Sequence, residues 1–442
     1  MSIADQLVAA GMSPGEAMRT EHFRSAVRLV LDRFSPETAS VARTFWVPGR
    51  IEFLGKHTDY AGGRSLVCAI ERGIVVAARR RSDAVVRIRD VLRRQSAEFV
   101  LDVNAASRRG HWSSYPAAVV RRIARNFPHA RCGADIVFAS DLPMASGMSS
   151  SSALVVATFL ALAAVNDLPG SSTYRTVIRG CEELAAYVGT VENGMSFGPL
   201  AGDAGVGTFG GSEDHAAILC GTPGALTQFS FSPLHEERVI PLPAGYVFVV
   251  ACSGVVAEKT GAALGQYNRV STLARDALDG LRTAHGVDYA TLAAAIAHTG
   301  AETVLRDVPE PARARVEQFM LESTVLVPQA GDALMRGDLT AVGALVDRSQ
   351  AAAEALLGNQ VSETIFLARS ARDLGAVAAS AFGAGFGGSV WALVAGSDAE
   401  AFIAQWREAY LANFPERGRP RPGRAEFLIT HAGPHACALD AD

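Results

Sequence analysis

The run Ala153–Val165 does most to limit how this chain can fold: it is apolar on every side of a helix, so other elements must enclose it. It falls short of the ~20 residues that a bilayer span needs, which leaves a buried helix inside a globular protein. A chain of 442 residues is long enough to build two or three domains with real cores. Met1–Gly11 lacks the basic start and apolar stretch of a signal peptide, and the six cysteines are dispersed with no CxxC pair. These features predict reduced thiols, no zinc site, no membrane association and a cytoplasmic location. The net charge of −4 gives no reason to expect a nucleic-acid partner.

The buried run is entered through Asp141–Ser152, where small residues surround a serine cluster that includes Ser146, Ser149, Ser150, Ser151 and Ser152. A helix start leaves backbone N–H groups unpaired and carries partial positive charge, which makes it a ready phosphate cradle. Glycine and serine let a phosphate approach, and serine hydroxyls can also ligate Mg²⁺. An N-cap would account for one serine but hardly for the whole run.

A second constellation is Pro48–Arg64. It follows a strand-like run, Phe45–Val47, and its glycines and proline read as a loop presenting Arg50, Lys56, His57, Asp59 and Tyr60 in quick succession. Such a loop suits the gripping of a polar ligand, with a solvated turn of scattered charges as the alternative. Two further Gly-rich stretches, Gly202–Ala216 and Phe382–Trp391, formally contain GxGxxG. Neither reads as a strand-to-helix turn, and the second runs into an apolar strand at Val390–Ala395, so a dinucleotide fingerprint is rejected for both.

Along the chain, residues 3–34 read as an amphipathic helical extension, interrupted only at Ser13–Gly15. Strand-like segments follow at Thr44–Val47, Ser65–Ile70, Ile74–Ala78, Val85–Ile88 and Ala97–Leu101, with Arg79–Arg81 read as a solvated hairpin turn. Strands this close together before any long helix predict an α+β fold and not a doubly wound sheet. A helix over Trp112–Asn126, a strand over Asp135–Ala139 and mostly helical structure over 300–380, with breaks at Pro328 and Gly337, follow from the periodicity.

In this order the pieces resemble the GHMP small-molecule kinases, most closely their galactokinase branch. Pro48–Gly63 is similar to the galactokinase signature PGRxxxxGxHTDYxGG. Pro143–Ser152 is similar to the family's ATP loop, PxxxGLSSSA, with Met148 for its leucine and Ser152 for its alanine; Phe382–Ser389 is similar to the third motif, GxGFGG. The resemblance implies a two-domain α+β kinase with its site in the cleft between domains, divided as an extension over 1–40, an N-terminal domain over 41–225 and a C-terminal domain over 226–442. It implies ATP and Mg²⁺ as cofactors, a small-molecule sugar as partner, and γ-phosphoryl transfer to the anomeric hydroxyl of galactose by a monomer or weak homodimer. By position, Asp214 becomes the catalytic base and Arg50 the cation that orients it. His57, Asp59, Lys56 and Tyr267 become sugar ligands. Ser146, Gly147, Ser149, Ser150, Ser151, Gly385, Gly387 and Gly388 form the ATP site, and Ser150 with Glu192 holds the metal.

Three departures from the family pattern matter. Lys56 stands where galactokinases carry a glutamate that helps hold the sugar's 6-hydroxyl, so either the substrate is an acidic hexose such as galacturonate, or Lys56 pairs with a neighbouring carboxylate or still donates to a neutral hydroxyl. Glu192 lies further from Asp214 than in the family, with Ser196–Gly202 read as an added loop near the site, so Glu182, Glu183 or Glu213 are alternatives as metal ligand. His215 replaces the glutamine after the aspartate, and a structural hydrogen bond is its expected role. A catalytically silent sugar sensor is the alternative outside enzymes; the serine run, Arg50 and Asp214 speak against it.

Overall fold

The computed structural model describes residues 2–35, 41–108, 110–143, 146–255, 264–415 and 424–439, apart from the side chains of Leu264 and Tyr267. Its strands are β1 (Arg43–Leu54), β2 (Arg64–Arg80), β3 (Val85–Asp90), β4 (Gln95–Val100), β5 (Ala134–Ser140), β6 (Ala225–Ser230), β7 (His235–Pro241), β8 (Tyr246–Cys252), β9 (Ala378–Phe382), β10 (Ser389–Ala395), β11 (Glu426–Thr430) and β12 (Cys437–Ala438). One sheet runs β12-β1-β2-β5-β3-β4, with β6 and β7 attached to the far half of β2. The second runs β11-β8-β10-β9. Only the β3–β5 pair is parallel among the described strands, in keeping with the α+β expectation.

Side-chain alternation explains why the first sheet reads as nearly continuous apolar sequence. On β2, Ile74, Val76 and Ala78 face the central core, where the Ser150–Val165 helix lies buried. Val75 and Ala77 face the other way, onto Leu7, Val27 and Leu31 of the N-terminal helices Ile3–Ala9 and Pro14–Phe34. Both faces of the sheet are therefore covered. The second sheet repeats the device: Phe248 and Val250 point to the central core, while Val247, Val249 and Ala251 meet Trp406 and Tyr410 of the Ala399–Asn413 helix. The two sheets meet where Phe53 stacks on Trp391, ring centroids 4.4 Å apart.

Several expectations need correction. β1 continues past Val47 to Leu54 through irregularities at Pro48/Arg50 and Glu52/Leu54, so Arg50 stands on a strand and not in a loop. The two strands expected around Glu71–Gly73 are one long β2. Arg79 and Arg80 belong to it, and Arg79 and Arg81 pair with Asp32, Asp83 and Asp135. β6 hydrogen-bonds onto β2 and β7 onto β6, so both belong to the first sheet. Pro328 does not break its helix: it follows directly on a π-helical stretch, Leu321–Leu326, that runs without interruption into Val327–Met335, and such a widened turn accommodates a gap in the hydrogen-bond ladder. Among the described residues no helix is long and apolar enough to cross a membrane.

Candidate active site

The Gly-rich stretch after Asn193 ends at the helix Glu213–Cys220, whose first turn carries Glu213 and Asp214. Acidic side chains are favoured there by the unpaired N–H groups of the helix start. Opposite, β1 delivers Arg50. Its Nε donates to Asp214 Oδ1 at 2.8 Å, Nη2 lies 2.6 Å from the same oxygen, and Nη1 donates to the Gly147 carbonyl. Burial alone would lower the Arg50 pKa, but Asp214, Glu213 and Glu52 outweigh it and raise the value. Ser152, one turn into the buried helix, donates to Asp214 Oδ2 at 3.1 Å. Arg50 and Ser152 thus fix both oxygens of Asp214 in one orientation.

These groups open on a cavity lined also by Glu52, His57, Asp59, Tyr60, Glu192, Thr208, Gly210, Gly211, Glu213, His215, Gly383 and Ala384. Asp59 accepts the Glu213 N–H at 3.2 Å through Oδ2. Gly211 is required beside it: a Cβ there would fall 2.5 Å from Asp59 Oδ2. His57, held at φ 58°, bridges two segments, with Nε2 3.1 Å from the Ala384 carbonyl and Nδ1 3.1 Å from the Tyr60 hydroxyl. Because a carbonyl only accepts, Nε2 carries the proton and Nδ1 accepts from Tyr60. Tyr60 in turn accepts from Arg315 at 3.1 Å, and burial pushes its pKa up to about 12.

Lys56 does not line this cavity. It is buried, and its Nζ donates to Ser349 Oγ at 2.8 Å; Ser349 donates on to Glu322 Oε1 at 2.9 Å. Glu322 also accepts the Gly55 N–H at 2.8 Å, so the lysine belongs to a buried network behind the sugar loop. Glu192 does line the cavity, its Oε1 3.2 Å from His215 Nε2. Glu182 and Glu183 lie at the other end of their helix, engaged with Glu236 and Arg179. Glu213 is held by Ser65 Oγ. Of the added segment it is Thr208–Gly211 that reaches the cavity, while Asp203 is anchored by Arg121 and Arg122 at 3.2 and 3.3 Å.

The described part of the serine loop closes against the hairpin between β9 and β10. Ser389 Oγ donates to the Ser146 carbonyl at 2.5 Å, and a Cβ on Gly147 would stand 3.0 Å from the Phe382 carbonyl. Gly385 at φ 78° and Gly387 at φ 128° take backbone shapes that side chains disfavour. Ser149 starts the buried helix at φ 58°, its buried Oγ without a hydrogen-bond partner among the described residues, and is followed by Ser150 and Ser151. Tyr267 lies on the helix Leu264–His285, and its side chain falls outside the described residues. Sequence reasoning missed Glu52 as a cavity residue; had β1 been extended to Leu54, its two-residue spacing from Arg50 would have placed both on one face.

Three family models match the chain: the galactokinase galactose-binding signature over residues 32–80, the GHMP kinase N-terminal domain over 114–222 and the GHMP kinase C-terminal domain over 332–412. Among solved structures, Lactococcus lactis galactokinase complexed with galactose superposes with a TM-score of 0.75 at 23% identity, covering 93% of this chain and 99% of that one. L. major mevalonate kinase in complex with R-mevalonate gives 0.54 at 15% identity, covering 90% and 98%. At such identities these two establish the fold, that of a GHMP kinase. The galactokinase of Roseiflexus sp. (strain RS-1) is 32% identical over 371 residues, 82% of this chain and 86% of that protein. The galactokinase of Chloroflexus aggregans is 30% identical over 383 residues, with the same shares. The chain belongs to the galactokinase family and is an ATP-dependent sugar kinase.

Proposed function

We propose that the chain transfers the γ-phosphoryl of ATP to the anomeric hydroxyl of galactose, giving galactose 1-phosphate. The observation that carries this reading is the Arg50–Asp214–Ser152 constellation, which opens on a cavity rich in hydroxyl-binding groups. Oδ1 of Asp214 takes both guanidinium contacts, so Oδ2 is the atom that receives the sugar proton as the O–P bond forms and the bond to ADP breaks. Arg50 stays charged throughout and opposes the negative charge spreading over the transferring group. Asp59 holds sugar hydroxyls, with Tyr267 alongside, and His57, whose ring nitrogens meet the Ala384 carbonyl and the Tyr60 hydroxyl, fixes that wall of the cavity. Ser146, Gly147, Ser149, Ser150 and Ser151 cradle the phosphates at the helix start, and Gly385, Gly387 and Gly388 close over them.

The donor set also suits Mg²⁺, which takes hard oxygen ligands and is commonly held by one or two protein groups plus substrate phosphates. Glu192 supplies a carboxylate at the cavity, and Ser149 Oγ, beside Ser150, is buried without a hydrogen-bond partner among the described residues. Ser150 and Glu192 would hold the ion, which when bound supplies charge neutralisation for the phosphates. The test is ADP release from Mg-ATP with galactose, with the product identified by mass. Asp214→Asn should lower turnover by ~10²–10⁴-fold while the circular dichroism spectrum stays unchanged. ADP release no faster with galactose than without any sugar would overturn the reading.

A further inference from the structure

Arg50 and Glu52 project from the same face of β1 into the cavity, and Glu213 comes to meet Glu52 from the start of the Glu213–Cys220 helix. Glu52 is 3% exposed and Glu213 5%. Glu52 Oε1 receives no N–H or O–H from the described residues, although its carboxyl lies within hydrogen-bonding reach of Glu213. Asp59 and Asp214 flank the pair. Lys56, the one feature that favoured an acidic sugar, points its ammonium at Ser349, away from the cavity. Resting on the sugar-kinase reading above, we propose that Glu52 and Glu213 together read the charge of the sugar, rejecting hexuronates and admitting aminohexoses.

The chemistry follows from burial. Two carboxyl groups in contact and out of water cannot both ionise: burial raises both, and the charge of Glu52 pushes Glu213 up further, while the hydrogen bond from Glu213 draws Glu52 back toward its ionised form. The pair therefore holds one proton and one negative charge. The proton satisfies the contact between the two groups, and the remaining lone pairs face the cavity, where they accept hydroxyl or ammonium protons. A sugar carboxylate would meet this charge together with Asp59 and Asp214, with Arg50 already committed to Asp214. Repulsion between like unit charges ~6 Å apart at an effective dielectric constant of ~20 corresponds to a loss of ~100-fold in affinity.

The test compares galactose, galacturonate and 6-amino-6-deoxygalactose, the last two carrying opposite charges on the same carbon. With the wild-type chain, kcat/KM for galacturonate should fall at least ~100-fold below galactose, and the amino sugar should stay within ~10-fold of it. In Glu52→Gln/Glu213→Gln the amino-to-acid ratio should shrink by ~10-fold or more. In Glu213→Gln alone the ratio should change by less than ~3-fold, because Glu52 then carries the single charge that the pair carried before. Galacturonate turnover within ~10-fold of galactose, or an unchanged ratio in the double variant, overturns the proposal. If no sugar raises ADP release, the galactose reading fails by itself. The charge reading is then decided by calorimetric binding of the same three sugars to the wild-type chain, where galacturonate binding as tightly as the amino sugar overturns it.

Discussion

Replacing Lys56 by Met tests whether this residue serves the fold or the sugar. The side chain is 1% exposed, and its ammonium is tied through Ser349 to Glu322, which is 0% exposed. Lys56 also draws Glu52 toward its ionised form. Methionine fills a similar volume, so the cost is electrostatic: a buried carboxylate, Glu322, loses its nearby cation, and Ser349 loses a charged donor. Removing one member of a buried ionic group costs about 3–5 kcal/mol, and the lower end applies because Ser349 intervenes between the charges. With an unfolding entropy of ~2.1 cal/mol/K per residue and a cooperative unit of roughly 200–400 residues, ~3 kcal/mol lowers the melting temperature by about 3–7 °C. Differential scanning calorimetry gives that shift, and steady-state kinetics on the same sample gives KM for the sugar, which should move by less than ~3-fold. An unchanged melting temperature with a KM raised ~10-fold would refute the reasoning and place the ammonium on the sugar.

Other substitutions probe other parts of the site. Ser152→Ala removes a donor to Asp214 Oδ2 and should lower kcat by ~10-fold with KM for ATP little changed, a split that steady-state kinetics resolves. Gly211→Ala puts a methyl 2.5 Å from Asp59 Oδ2, displacing that carboxylate, and should raise KM for galactose by ~10-fold or more. Asp141, beside the serine loop, has its pKa pushed by burial to about 6, above its value of 3.8 in an unfolded chain. The folded state therefore binds the extra proton, so this contribution is present below pH ~4 and is lost as pH rises through ~6, a change of about 3 kcal/mol. Asp141→Asn, which keeps an oxygen for the Gly73 N–H, should flatten that part of the stability profile in thermal unfolding from pH 4 to 8; an unaltered profile would count against the shift.

What the sequence disclosed divides along physical lines. Arg50 and Asp214 are far apart in the chain, yet ordered motifs were enough to anticipate their meeting, because each motif has few other uses for its residues. The buried Ser150–Val165 helix was legible from composition alone. Features set by tertiary register were not. The break read at Glu71–Gly73 is an unbroken strand, because Glu71 and Arg72 find partners outside the sheet in Ser13, His431, Glu16 and Asp141, while Gly73 passes close under Trp46. Lys56 looked sugar-facing because its partners Glu322 and Ser349 sit far along the chain on helices whose rotation no local pattern reveals. Glu52 was hidden by the reading of its strand as a loop.

The third motif shows how a segment without reactive side chains governs the reaction. The hairpin from Phe382 to Ser389 touches both halves of the site: Ser389 holds the serine loop through Ser146, the Ala384 carbonyl accepts from His57 Nε2, and the Phe382 ring lies 5.8 Å from the Arg50 guanidinium. Just beyond it, the Trp391 indole donates to the Glu52 carbonyl at 3.0 Å and stacks on Phe53. β1 is thereby held against the second sheet at Glu52 and Phe53. A shift of this hairpin would therefore be felt by the cation beside Asp214, the backbone of Glu52 and the serine loop together, since Phe382, Trp391 and Ser389 each contact one of the three. The glycines of the motif are required for that closeness: a Cβ on Gly383 would stand 2.9 Å from the Gly147 carbonyl, and one on Gly385 2.4 Å from the Asn359 carbonyl. Substituting alanine at Gly383 should therefore disturb ATP and sugar kinetics at once, where Gly211→Ala disturbs the sugar alone; equal KM values for ATP in the two variants would show that the hairpin does not couple the halves.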